Sequence, residues 1–328
     1  MLKKLYIELS SKCNLNCKMC FRNLWFDEKY ELMRDATVER VKESIAAGQF
    51  QTVFFGGMGE PLTHPRLPEL IHFAHVSGKK TELITNATLL SPDMAESLVN
   101  AGLDCLWVSL DGFSKQSYEA IRRGSMFDLI TKNLADFNAV RRSTLLGITF
   151  VLMKENEHEL GRINAFADSV GADFINLSHV IPGAAVSEAD TLYNKDYPVG
   201  RMRRFTSAPA EKTRDKCPFI SDGCCFIRPD GEVIPCMQLL HNCYTYLYTE
   251  QRKVYSHSFG NINEKGIEDI WNDAEYADFR KRVTDFDFPC CTVCLGCDDR
   301  LENKTDCMYN QNPTCGACLW AQGLIRCP

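Results

Sequence analysis

The sequence predicts an α/β fold: a parallel sheet of six strand–helix units curved into a partial (β/α)6 barrel, followed by a cysteine-rich domain. Three observations carry this. Short, β-rich apolar runs alternate with helical spacings from the N-terminus to about residue 180. The alternation then dissolves. Finally, thirteen of the seventeen cysteines fall between residues 217 and 328.

In order, the strand-like runs are Leu5–Leu9, Thr52–Phe55, Glu82–Thr85, Leu106–Leu110, Leu145–Met153 and Phe174–Leu177. Helical spacing occupies Val38–Ala47, Leu67–Val76, Pro92–Ala101, Leu129–Val140 and His158–Val170. Buried strands joined by crossover helices make a parallel sheet, and in such sheets chemistry sits at the C-terminal strand ends. From Pro182 to Lys216, Gly183, Pro198, Gly200 and Pro209 interrupt the pattern and no strand is visible. The chain therefore divides into a barrel at 1–182, a bridging segment at 183–216 and a cysteine-rich domain at 217–328. Arg201-Met-Arg-Arg204 reads as a solvated face. One helix is expected at Gly266–Val283, with Ile267, Ile270, Trp271 and Phe279 on one side. Otherwise the third region offers little apolar surface, so metal cross-links are expected to hold it.

A net charge of −6 and a pI near 5.7 argue against a nucleic-acid partner. No apolar run reaches the roughly 18–20 residues of a membrane span. The first residues, broken by Glu8, read as a strand and not a signal peptide, so a cytoplasmic location is expected. There thiols stay reduced, and seventeen cysteines point to metal.

The first strand ends in a loop carrying Cys13, Cys17 and Cys20. Three thiolates spaced in this way can wrap one cubane from a single loop, leaving one of four irons open to substrate. Structural zinc takes four protein ligands in paired short spacings, and no His or fourth Cys lies nearby. Cys105 opens the fourth strand, at the end away from this loop, and reads as a buried small hydrophobe.

Cys-x3-Cys-x-Φ-Cys, with Met19 at Φ, resembles the radical S-adenosylmethionine superfamily over residues 5–182. The resemblance implies a TIM-like partial barrel and a [4Fe–4S] cluster on Cys13, Cys17 and Cys20. Its open iron chelates S-adenosylmethionine, and reductive cleavage gives a 5′-deoxyadenosyl radical that abstracts a substrate hydrogen. Met19 would pack near the adenine. Gly56-Gly57-Met58-Gly59-Glu60-Pro61 resembles the element that meets the methionine amino group; Met58 is an insertion, so Gly59, Glu60 and Pro61 carry the match, with Gly57 beside them. Thr85-Asn86 resembles the next element, with Ala87 in place of glycine. Ser109-Leu-Asp111 resembles the ribose- and carboxylate-contacting element, and Ile181 would line the adenine pocket. A turn or helix cap is the competing reading of Asn86, Ser109 and Asp111, whose residue types favour such positions on their own. The family also needs an electron donor such as ferredoxin or flavodoxin.

Cys225 through Gly231 to Cys236 resembles the opening of the SPASM/twitch-like iron–sulfur extension, as do Gly260-Asn-Ile-Asn263 and Trp271. The resemblance implies one or two auxiliary [4Fe–4S] clusters. Candidate ligands are Cys217, Cys225, Cys236, Cys291, Cys294, Cys297, Cys307, Cys315, Cys318 and Cys327, with Cys224 an additional one. The later spacing departs from the extension's usual signature and leaves their pairing open. The ending Pro313 to Pro328, with Phe55–Leu62, resembles the maturases associated with tungsten-containing aldehyde:ferredoxin oxidoreductases.

Three functions stay open. One is maturation of a tungsten oxidoreductase or its pterin cofactor. Another is modification of a peptide substrate, and the third is electron carriage. The missing fourth ligand of the triad argues against the third. Since the first strand begins near residue 4, no N-terminal precursor-binding module is expected, which favours the first.

Overall fold

The computed structural model describes residues 1–181, 183–184, 192, 197, 199–205, 217–294 and 296–325. Pro182, most of the bridging segment and Cys327 lie outside them. Six parallel strands stand side by side in chain order: β1 (Lys4–Ile7), β2 (Thr52–Phe55), β3 (Lys80–Thr85), β4 (Cys105–Ser109), β5 (Leu145–Leu152) and β6 (Phe174–His179). Parallel neighbours require crossovers. These are supplied by α1 (Asp35–Ala47), α2 (Leu67–Val76), α3 (Pro92–Asn100), α4 (Lys115–Ile121) with α5 (Phe127–Val140), and α6 (Ile163–Ser169). Ser91 starts α3 by accepting the Met94 N–H, with Pro92 in the first turn where its missing donor costs nothing.

Register explains the two faces. Ile7, Phe55, Leu83, Leu106 and Leu146 are successive partners across five strands, and all are fully buried. This row meets the apolar stripes of the helices, such as Val41, Ile45, Leu70 and Ile71. The alternate residues face inward. Glu82 takes the Lys4 ammonium at 3.1 Å and the Trp107 indole N–H at 3.3 Å. Gly147 leaves room for that indole, since a Cβ there would lie 2.2 Å from the ring. Arg201 covers Phe174 at 3.9 Å. Charge and rings thus fill the lower barrel, leaving the opposite mouth for a site.

Four expectations are corrected. The bridging segment does contain a strand, β7 (Gly200–Met202), antiparallel to β6. It places Arg201 over Trp107 and Phe174, so only part of the 201–204 run is a solvated face. The helix expected at Gly266–Val283 is two, α8 (Ile267–Trp271) and α9 (Ala274–Asp285), because Asp273 turns extended and caps α9 through the Glu275 N–H. The four residues named for its face are all buried.

Nor is the C-terminal region short of core. After a single turn, α7 (Pro218–Ser221), strand β8 (Cys224–Ile227) pairs in parallel with β1, and β9 (Val233–Ile234) returns beside it. The barrel sheet thus has nine strands among the described residues. Phe219, Ile220, Phe226, Tyr276 and Phe279 are buried in the same core. A hairpin of β10 (Cys243–Leu247) and β11 (Glu250–Val254) follows. Only the stretch from about 289 onward is poor in regular structure. Among the described residues no helix is long and apolar enough to cross a membrane.

Candidate active site

The loop bearing Cys13, Cys17 and Cys20 crosses the C-terminal mouth of the barrel and is tied down from three sides. The Glu60 N–H donates to Lys12 O at 2.7 Å, the Lys18 N–H to Ile121 O at 2.8 Å and the Asn16 N–H to Arg123 O at 3.1 Å. Gly59 lies so close beneath the loop that a Cβ would sit 2.0 Å from Ser10 O. Backbone cannot move away cheaply, so glycine is required there.

Donors already point at the first sulfur. Cys13 Sγ accepts from the Leu15 N–H at 3.5 Å and the Asn86 amide at 3.6 Å. Burial pushes the Cys17 thiol up to about 11, against the pull of the buried Arg122 guanidinium, and raises Cys13 as well. Such thiols are protonated without metal, and a bound cation would drive the protons off. Three sulfurs on one anchored loop, with N–H donors aimed at one of them, fit a thiolate-held cluster.

Of the residues expected to contact a ligand, Glu60 and Asn86 lie directly against this loop. Glu60 is fully enclosed and accepts from Thr85 Oγ1 at 2.6 Å, the Asn86 N–H at 2.8 Å and the Leu62 N–H at 3.1 Å. A carboxylate offers about four acceptor positions, so roughly one remains for an ammonium. Burial raises its pKa despite these bonds. Asn86 also donates to Asn14 Oδ1 at 3.0 Å, and Ala87 adopts the left-handed conformation at φ 59° that a glycine would take more cheaply. Asp111 is committed inward: it accepts the Val151 N–H at 2.8 Å and pairs with Arg122 at 2.7 Å. Ser109 accepts from Thr149 Oγ1 at 3.3 Å. Met19 and Ile181 line a cavity of about 220 Å³ beside Cys17 and Cys20. Cys105 is wholly buried at the start of β4, away from this mouth.

The other thiols fall into two groups. Cys217, Cys236, Cys315 and Cys318 are mutual electrostatic neighbours, and Cys291 has both Cys297 and Cys307 as neighbours. Burial pushes Cys217 up to about 12 and Cys291 to about 11. Cys294 is exposed nearby in sequence. Cys225 lies elsewhere, opposite Leu5 in β8, with Cys224, Arg280 and Glu268 around it. Among the described residues, no three His, Cys, Asp or Glu side chains converge closely enough for a single metal ion.

Several residues here escaped sequence reasoning. Met58, Met237 and Trp320 complete the cavity wall, two of them from the C-terminal region. Buried His241 lies between Glu8 Oε2 at 2.7 Å and Glu28 Oε2 at 2.9 Å, while Glu8 Oε1 accepts the Met58 N–H at 2.6 Å. The signal was a carboxylate following an apolar strand, a residue rarely buried unless paired. Arg122, in an Arg-Arg-Gly run that looks exposed, gave none.

Residues 7–167 match the family model of the Radical SAM superfamily, and residues 217–298 match SPASM, an iron–sulfur cluster-binding domain. The chain is 29% identical to the tungsten-containing aldehyde ferredoxin oxidoreductase cofactor-modifying protein of Pyrococcus furiosus, over 100% of this chain and 97% of that one. It is 30% identical to a PqqA peptide cyclase of Gluconobacter oxydans, over 53% of this chain and 48% of the relative. Among solved structures, AdoMet-bound anSMEcpe shares the fold at TM-score 0.65 and 17% identity, covering 98% of this chain and 95% of its own. AdoMet-bound SuiB of Streptococcus suis does so at TM-score 0.62 and 18% identity, covering 85% and 68%.

Proposed function

From a chain that carries a radical SAM domain and a SPASM domain, we propose an enzyme that cleaves S-adenosylmethionine reductively to mature a tungsten-containing oxidoreductase or its pterin cofactor. The observation that carries the maturase reading is the likeness to the Pyrococcus furiosus cofactor-modifying protein, which spans both domains from end to end. A [4Fe–4S] cluster held there would supply the electron that splits the sulfonium of S-adenosylmethionine into methionine and a 5′-deoxyadenosyl radical able to take hydrogen from an unactivated C–H bond.

The chain's own residues divide the remaining work. Cys13, Cys17 and Cys20 would hold the cluster, and a ferredoxin or flavodoxin would supply the electron. Gly57, Gly59 and Pro61 bring backbone close to the methionine end, and Glu60 keeps an acceptor for its ammonium. Asn86 holds the cysteine loop from below. Ser109 offers a hydroxyl to the ribose, while Asp111 positions Arg122 next to Cys17. Met19 and Ile181 supply apolar contact for the adenine. Met58, Met237 and Trp320 narrow the mouth and keep water from the radical.

Two experiments test this. Anaerobic reconstitution with reductant and S-adenosylmethionine should yield 5′-deoxyadenosine, and replacing the three triad cysteines by Ala should abolish it; continued cleavage would overturn the site. The oxidoreductase expressed with this protein should differ from that expressed without it in activity and in the mass of its cofactor or peptides. Identical preparations would shift the reading to peptide modification, which the likeness to a PqqA peptide cyclase favours over about half of the chain.

A further inference from the structure

Arg252 is a buried cation that no carboxylate among the described residues meets. It sits in β11 opposite Thr245 at 7% exposure. Its guanidinium donates through Nε to Arg300 O and through Nη1 to Ala317 O at 2.9 Å. Arg300 follows the Cys291–Cys297 stretch, and Ala317 lies between Cys315 and Cys318. One side chain therefore ties together the loops that carry both thiol groups. Its electrostatic neighbours are Cys318, Cys291, Cys243 and Cys315, thiols of both groups plus one from β10.

A guanidinium taken out of water costs several kcal/mol unless an anion meets it. Burial accordingly pulls the Arg252 pKa down, and the thiols oppose that. Neutral thiols are poor counter-charges. Thiolates bound to iron are good ones, and a cubane with four thiolate ligands is anionic in both oxidation states.

We propose that Arg252 is the shared counter-cation of the two auxiliary thiol groups, raising the reduction potential of whatever iron–sulfur cluster they hold. This rests on the reading of residues 217–325 as a cluster-binding region. The fixed positive charge favours the more negative, reduced form, so removing it makes reduction harder. Arg252 acts through the thiol groups, as a positioning and tuning residue.

The test uses the full-length chain with Cys13, Cys17 and Cys20 replaced by Ala, reconstituted anaerobically with iron and sulfide. Potentials are read by redox titration monitored by electron paramagnetic resonance. Arg252→Met should lower the reduced-to-oxidised ratio at a given applied potential at least tenfold, a shift of 59 mV for one electron. Arg252→Lys, which keeps the charge, should recover most of that shift. Equal potentials in all three proteins with full iron would overturn the proposal. So would loss of iron from both variants, which would make Arg252 only a structural tie. Absence of iron from the Arg252-bearing parent would overturn the cluster reading itself, and the proposal with it.

Discussion

Glu8 and Glu28 are nearly excluded from solvent, and His241 between them is a buried imidazolium with Trp25 packed on its face at 4.0 Å. Burial opposes the charge, but the two carboxylates outweigh it and push the His241 pKa up to about 9. The same contact, with the Asn242 N–H, holds Glu28 below its usual value against burial. His241 is protonated in folded and unfolded chains alike below about pH 6.5, so the stabilisation is complete there. It is lost as pH rises through about 9, an upper bound of about 3 kcal/mol. Urea midpoints should therefore fall between pH 6.5 and 9, and the slope should flatten in His241→Gln. An unchanged slope would remove the ion triad from the account. Gly59→Ala is a sharper probe, since its Cβ would strike Ser10 O at 2.0 Å. The variant should lose the triad's share of iron, measured per chain, while retaining the auxiliary iron.

At the scale of elements, α4 shows how a short helix can govern a distant loop. Ser114 and Ser117 form a reciprocal capping box at its start. Its other end presents Ile121 O and Arg123 O to the cysteine loop, and Arg122 to Asp111. Ser114→Ala should cost about 1 kcal/mol. It should also speed hydrogen exchange at the Asn16 and Lys18 amides, read by mass spectrometry; unchanged exchange there would mean the loop is held by its own contacts. Sequence periodicity predicted α1, α2, α3 and α5 because each presents an apolar stripe long enough to count. It missed α4, seven residues long and started by a hydroxyl cap. It also missed β7 and β9, of three and two residues, because so few residues cannot establish a period.

Across the whole molecule, the C-terminal region is part barrel and part cysteine-bearing loop with little regular structure. Strand β8 completes the sheet beside β1, and Tyr276 and Phe279 bury a core with Phe226 and Phe259. Iron should therefore matter unevenly. Chelation from the triad-null protein should expose amides from about 289 to 325 to rapid hydrogen exchange while β8 and α9 stay protected. Simultaneous loss of protection in both would show that metal holds the entire region. The same division places Met237 and Trp320 on the cavity beside Cys20, so the auxiliary domain shapes the mouth of the barrel.

By itself the sequence determined what is encoded locally. Six strand–helix repeats follow from side-chain period. The triad follows from the spacing within one loop, where ligands share an anchor regardless of the rest of the fold. Gly59 and Glu60 were singled out by the resemblance of one short motif, which is also local. Tertiary structure alone decided which cysteines meet, grouping Cys217 and Cys236 with Cys315 and Cys318 and leaving Cys225 in a strand. It also decided that Arg122 lies near Cys17, that His241 reaches Glu8 and that Arg252 sits between two thiol groups. Each of these is a charge or thiol whose partner lies far along the chain. Only burial makes such partners obligatory, because a charge in water needs none.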